Sequence, residues 1–128
     1  MEIQTYWDAV LRQDAQAMRR FFHPAALVRW HNTKEQFTVE EFIHANCAYP
    51  GDWEGTIKRI ENIGSMLVTV TQAYTRDCSL SFHVVSFFQI ENDLITAIDE
   101  YWGDDGDAPQ WRQEMHIGSR IPCDALRY

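Results

Sequence analysis

Positive charge is in short supply in this sequence. Its 128 residues hold eleven Lys and Arg against nineteen Asp and Glu, a formal charge of −8, and the basic residues form no cluster. Nucleic acid and anionic membrane surfaces both select basic patches, so neither is expected as a partner. Cysteine is thin as well. Cys47, Cys78 and Cys123 are odd in number and far apart, which fits a reduced, cytoplasmic protein better than a disulfide scaffold. No apolar run approaches membrane-spanning length, and acidic and polar residues interrupt the first turns, so neither a membrane span nor a signal peptide is expected. Metal-ligand spacing is missing too: His23, His31, His44, His83, His116 and Cys47 form no H-x-x-x-H or C-x-x-C. The acidic turn of Asp104, Asp105 and Asp107 lacks the full ligand set of a calcium loop. No glycine-rich phosphate loop occurs. The expectation is a protein with no metal and no cofactor.

What the chain has in quantity is apolar and aromatic side chain. Hydrophobic residues make up 45% and aromatics 13%, with five Trp, enough to fill a core and still line a pocket or an interface. At this length a single domain over residues 1–128 buries roughly 65–70% of its unfolded surface. Ile3, Tyr6, Trp7, Val10 and Leu11 form one apolar stripe and predict a helix over about Glu2 to Gln13. Asp14 caps a second helix in which Ala15, Met18, Phe21 and Phe22 share a face, until His23-Pro24 ends it. A brief strand, Ala26 to Trp30, and a polar connection, Asn32-Thr33-Lys34, precede the best-marked element. There Thr38 and Glu41 make a capping box, Phe37 and Phe42 a hydrophobic staple, and Tyr49-Pro50-Gly51 a firm stop.

From Trp53 the period becomes that of strands. Ile57, Ile60 and Ile63 recur every third residue, which predicts a bulged strand over Trp53 to Ile63, with a helical turn as the alternative. Met66 to Arg76 follows as a strand rich in Val and Thr. The tail, 112–128, either adds an edge strand or packs on a neighbour. No repeat, low-complexity segment or linker divides the chain. Helices first, then a meander of long antiparallel strands, indicate an α+β class with helices over one face of a curved sheet.

Ser79 to Asp105 organises the rest: two long strands joined at Asn92-Asp93, a short polar turn of the hairpin kind. A two-residue turn brings His83 near Trp102 and Val85 near Glu100, and sets His83, Glu100 and Trp102 on one face. A slip of one residue undoes that alignment. On this register His83 and Glu100 are the candidate catalytic pair. Imidazole titrates near neutrality, and an aromatic pocket raises a carboxyl's pKa while a protonated imidazole lowers it. Each has a plainer reading: a buried His bonded across the sheet, and a Glu paired with Arg29, Arg59 or Arg112 or at an exposed strand position. Trp30, Tyr49, Trp53 and Trp102 are candidates for the substrate-binding wall, with core or dimer-interface packing the alternative for any one. Asn46 shares a helix face with Phe42 and needs a partner in a ligand or in the backbone. His31, a candidate substrate-binding residue, flanks with Glu35 a loop at the expected rim, with plain surface placement the default for both.

Trp30-His31-Asn32, the capped helix from Thr38, Tyr49-Pro50-Gly51-Asp52-Trp53, Ser81-Phe82-His83 and Glu100-Tyr101-Trp102 make the sequence resemble the SnoaL-like branch of the nuclear transport factor 2-like superfamily, over about Ile3 to Trp111. The resemblance implies a cone-shaped antiparallel sheet wrapped around a long helix, two N-terminal helices, an apolar pocket at the wide end, and a homodimer through the sheet's outer surface. Relatives include ketosteroid isomerase, scytalone dehydratase, polyketide cyclases, epoxide hydrolases and proteins with no known activity, so the fold leaves the reaction open. Ala25 stands where many relatives carry an acidic residue, and the Tyr and protonated Asp of ketosteroid isomerase have no clear counterparts. In the cyclase-like enzymes the acid/base carboxylate lies toward the end of the sheet, where Glu100 and Asp99 are the candidates. Three functions stay open: a cofactor-free acid/base enzyme acting on a small apolar molecule by isomerisation, dehydration, cyclisation or epoxide opening; a binding protein using the same pocket; or a dimeric interaction module.

Overall fold

The computed structural model describes residues 1–122. Three helices and six strands form the body: α1 (Ile3–Arg12), α2 (Ala15–Arg19), β1 (Phe22–Trp30), β2 (Glu35–Thr38), α3 (Val39–Ala48), β3 (Trp53–Ile63), β4 (Met66–Thr75), β5 (Ser81–Glu91) and β6 (Leu94–Asp104). A short exposed helix, α4 (Gln110–Glu114), follows, and residues 115–122 form no strand. Cys123 and the remainder of the tail lie outside the described residues. No described helix is long and apolar enough to cross a membrane.

The strands make one curved sheet in the order β2-β1-β6-β5-β4-β3, antiparallel throughout except where β1 runs parallel to β6. The stripe on α1 buries Ile3, Tyr6, Trp7 and Val10, and Val39, Phe42 and Ile43 of α3 join them over the concave face. The α3 cap forms as read: the Glu41 N–H donates to Thr38 Oγ1 at 3.2 Å and the Thr38 N–H to Glu41 Oε1 at 2.9 Å. α2 is shorter than its apolar face suggested. Phe22 leaves the helix to pair with Ile95, because the residue before Pro24 favours extended backbone and carries its neighbour with it. β2, unanticipated, returns along β1 after the turn at 31–34.

Two bulges decide which side chains face inward. Along β4 the alternation is unbroken, with Leu67, Thr69, Thr71, Ala73 and Thr75 inward. Opposite it, pairing jumps from Ile57↔Thr71 to Arg59↔Val70 and then Ile60↔Thr69. The extra residue turns a spacing of two into three and keeps Ile57 and Ile60 on one face. β6 has the same device. Ile90 pairs with Ile95 but Gln89 with Ala97, so Ile95 and Ile98 both reach the core, each fully buried. The hairpin turn itself is the expected two residues, Asn92 and Asp93, both left-handed (φ 50° and 63°). On β3, Gly55 lets α1 approach: a Cβ there would sit 2.7 Å from the Gln72 carbonyl oxygen and 2.9 Å from Leu11 Cδ1.

Candidate functional site

The helices and the concave face do not close completely, and a cavity of about 240 Å³ remains between them. Trp7, Val10 and Leu11 of α1 form one side, with Gln13 at the helix end. Asn46 and Tyr49 come from the end of α3. Trp30, Trp53, Ala73, Phe82, Trp102 and Asp104 rise from the strands, and Asn32 and Thr33 from the 31–34 turn. The Trp102 backbone N–H donates to Asn32 Oδ1 at 2.8 Å, which ties that turn to the sheet.

Aromatic rings dominate the wall. Tyr49, Trp53, Phe82 and Trp102 follow one another as a continuous arc with centroids 5.5, 5.7 and 6.0 Å apart. The polar edges of three of the four lining tryptophans are engaged elsewhere. Trp7 Nε1 donates to Thr69 Oγ1 at 3.2 Å, Trp53 Nε1 to the Pro50 carbonyl at 3.2 Å, and Trp30 Nε1 to Glu100 Oε1 at 3.1 Å. The two amides anchor the helix ends to each other. Gln13 Nε2 donates to the Asn46 and Tyr49 carbonyls at 2.9 and 2.7 Å, and Asn46 Nδ2 to the Val10 carbonyl at 3.0 Å and to Met18 Sδ at 3.3 Å.

Glu100 lies beside this cavity without lining it, 1% exposed. The registers set Thr69, Ser86, Glu100 and Trp30 in a row across four strands. The Ser86 hydroxyl donates to Glu100 Oε2 at 2.6 Å. Burial pushes the carboxyl up to about 7, against the lowering pull of Ser86, then Trp30, then the nearby Trp102 indole. The Trp102 N–H is near enough to favour the carboxylate yet makes no well-formed bond. With Tyr6 Oη and Thr71 Oγ1 it is a buried polar atom lacking a hydrogen-bond partner among the described residues. Burial, and then the Glu100 charge, raise the Tyr6 phenol well above its ordinary value.

The candidates named from sequence divide cleanly. Trp30, Asn46, Tyr49, Trp53 and Trp102 line the cavity. The expected meeting of His83 with Glu100 does not occur. The β6 bulge moves every later pairing by one, so Glu100 faces Ser86 and His83 faces Gly103. His83 therefore points to the convex side, where Nδ1 pairs with Asp105 and Ser81 Oγ donates to the same carboxylate. His31 is also outside the cavity, because it follows the inward Trp30 on the chain and alternation turns it outward. It stacks on Tyr101 at 4.6 Å and bonds Asp99 at 2.7 Å, with Arg29 a further 3.7 Å partner of that carboxylate. Asp99 is thus the outward carboxylate and Glu100 the inward one. Among the described residues no group of three or more His, Cys, Asp and Glu is placed to hold a metal.

Much of the lining escaped the sequence reading. Trp7 was one position in a core stripe, Ala73 one small residue in a strand, and Gln13 carried no signal. Phe82 alternates with His83, so the missed bulge hid it. Asp104 belongs by sequence to the acidic turn, though its pairing with Phe82 sets it among the lining residues, exposed to solvent.

No protein-family model and no curated protein matches the sequence. Solved structures do. A candidate ketosteroid isomerase from Kribbella flavida superposes with a TM-score of 0.77 over 95% of this chain and 88% of that one, at 19% identity. A candidate SnoaL-like polyketide cyclase from Shewanella putrefaciens gives 0.64 over 76% and 74%, at 15% identity. A protein of ketosteroid isomerase-like fold from Catenulispora acidiphila, in complex with trimethylamine, gives 0.63 over 78% and 84%, at 16% identity. What these identities establish is architecture: the chain has the nuclear transport factor 2-like fold, in the form seen in ketosteroid isomerase-like and SnoaL-like proteins.

Proposed function

We propose that the cavity binds a small, mostly apolar molecule. The supporting observation is the arc of rings around a volume that the chain's own side chains leave open. Apolar walls with a few fixed polar groups are the usual makeup of a ligand site. Calorimetric titration with 2-naphthol tests the reading. Binding is expected, with a loss of about ten-fold or more in Ala73→Leu, which fills the cavity from its floor. Undiminished binding in a folded Ala73→Leu chain places the probe elsewhere and overturns the proposal.

Acid/base chemistry is the second reading, and the specific observation favouring it is a carboxyl poised near neutrality beside the cavity. Glu100 alone would carry the proton, and His83, on the convex side, has no part in it. A panel of one epoxide, one enone and one β-hydroxy ketone is the assay. Any turnover found should fall about 10²–10⁴-fold in Glu100→Gln; turnover at the parent rate in that variant removes Glu100 from the mechanism.

The same proposal includes a homodimer through the convex face. Met66, Val85, Phe87 and Tyr101 form an apolar patch there, with Tyr101 47% exposed.

A further inference from the structure

We infer that the molecule this cavity is built for is an organic cation, an alkylammonium whose charge is clad in carbon. The inference rests on the cavity being a ligand site and narrows what it takes. A neutral apolar ligand, an anion and a cation ask different things of the same hollow, and the polar atoms around this one discriminate among them.

Aromatic faces carry the negative part of the ring quadrupole and ring edges the positive part. The strongest positive edges of an indole wall are its N–H groups. Here those of Trp7, Trp30 and Trp53 are directed at Thr69, Glu100 and Pro50, and that of Trp102 is buried on the side of the Glu100 carboxyl. The wall therefore withholds its donors. The amides behave alike. The side-chain nitrogens of Gln13 and Asn46 both donate to protein acceptors, which leaves the amide oxygens as the uncommitted atoms. Among the other lining side chains, donors are confined to Asn32, Thr33 and Tyr49.

Charge points the same way. Asp104 is the one charged side chain among the described residues lining the cavity, and no Lys, Arg or His joins it. A second carboxyl, Glu100, accepts from the Trp30 indole. Where Glu100 is ionised, the indole N–H held on its carboxylate enriches the ring's π electrons, the feature a cation reads. A ketone or carboxylate entering this space would desolvate its oxygens and find few donors. An alkylammonium would exchange water for ring faces, amide oxygens and the Asp104 carboxylate.

Choline and its neutral carbon isostere, 3,3-dimethylbutan-1-ol, separate charge from shape. Titrated calorimetrically into the full chain at low salt, choline is expected to bind about ten-fold or more tightly than the alcohol. Asp104→Asn should weaken choline about three-fold or more and leave the alcohol unchanged. Equal or tighter binding of the alcohol overturns the inference but upholds a site for small apolar molecules. Binding of neither overturns it too, and the 2-naphthol titration then decides the broader reading independently. Choline bound equally by the parent and by Trp53→Leu, a variant checked for its fold by circular dichroism, places the cation outside the ring arc and also overturns it.

Discussion

Glu100 is the residue whose energetics can be followed furthest. Its carboxyl titrates at about 7 in the folded chain against an ordinary value of 4.5, so the native state holds the proton more tightly than the unfolded state does. That stabilising contribution is fully present below about pH 4.5 and is lost as pH rises through about 7, a change on the order of 3 kcal/mol. Denaturant unfolding at several pH values should show stability falling between about pH 5 and 8 from this group. Glu100→Gln, which resembles the protonated acid, should lose that component of the slope and exceed the parent in stability at about pH 8. A parent and variant with parallel pH profiles would show that Glu100 is ionised at little cost. The inward placement of Glu100 and Trp102 together was legible from alternation alone, since two residues apart on a regular strand share a face. Its partner was not legible, because a pairing depends on every residue between it and the turn.

At the scale of the element, the same signal occurs twice in this chain and has the same meaning both times. Ile57 and Ile60 stand three apart, and so do Ile95 and Ile98. In β3 that spacing predicts the bulge that forms, and in β6 it marks a second one close to the Asn92-Asp93 turn. A ladder without the β6 bulge would place His83 inward; the ladder that forms places it outward. Helices were more readable than strand ends. The α3 capping box is local chemistry and folds as written, whereas β2 depends on pairing with β1, and its four residues have no period of their own. Close packing of α1 on β3 supplies the prediction proper to this level. Gly55→Ala would thrust a methyl against the Gln72 carbonyl and Leu11, and should cost about 1–3 kcal/mol in unfolding free energy. Because Leu11 also lines the cavity, 2-naphthol binding should weaken with it. A Gly55→Ala chain as stable as the parent would mean that the helix can lift from the sheet freely.

Viewed whole, the molecule is a single curved sheet with different business on its two faces. Concavely it meets helices and encloses the cavity; convexly it presents Met66, Val85, Phe87 and Tyr101 beside the hydrogen-bonded His31 and Asp99. The general architecture was readable because element order and period survive local errors of register. The cavity's full lining was not, because it draws on seven separate stretches of chain. If the convex patch joins two copies, light scattering at micromolar concentration should report twice the chain mass of 15.0 kDa. Phe87→Glu should return a single copy that still binds 2-naphthol. A parent that runs as one copy disposes of the dimer without touching the cavity.

Four of the five tryptophans, Trp7, Trp30, Trp53 and Trp102, stand around the cavity, and the fifth, Trp111, is 58% exposed on α4. Replacing Trp111 by Phe would leave a chain whose entire indole emission originates at the place where a visitor would lodge. The protein would then serve as its own label-free optical sensor, reporting occupancy before anyone knows what the occupant is.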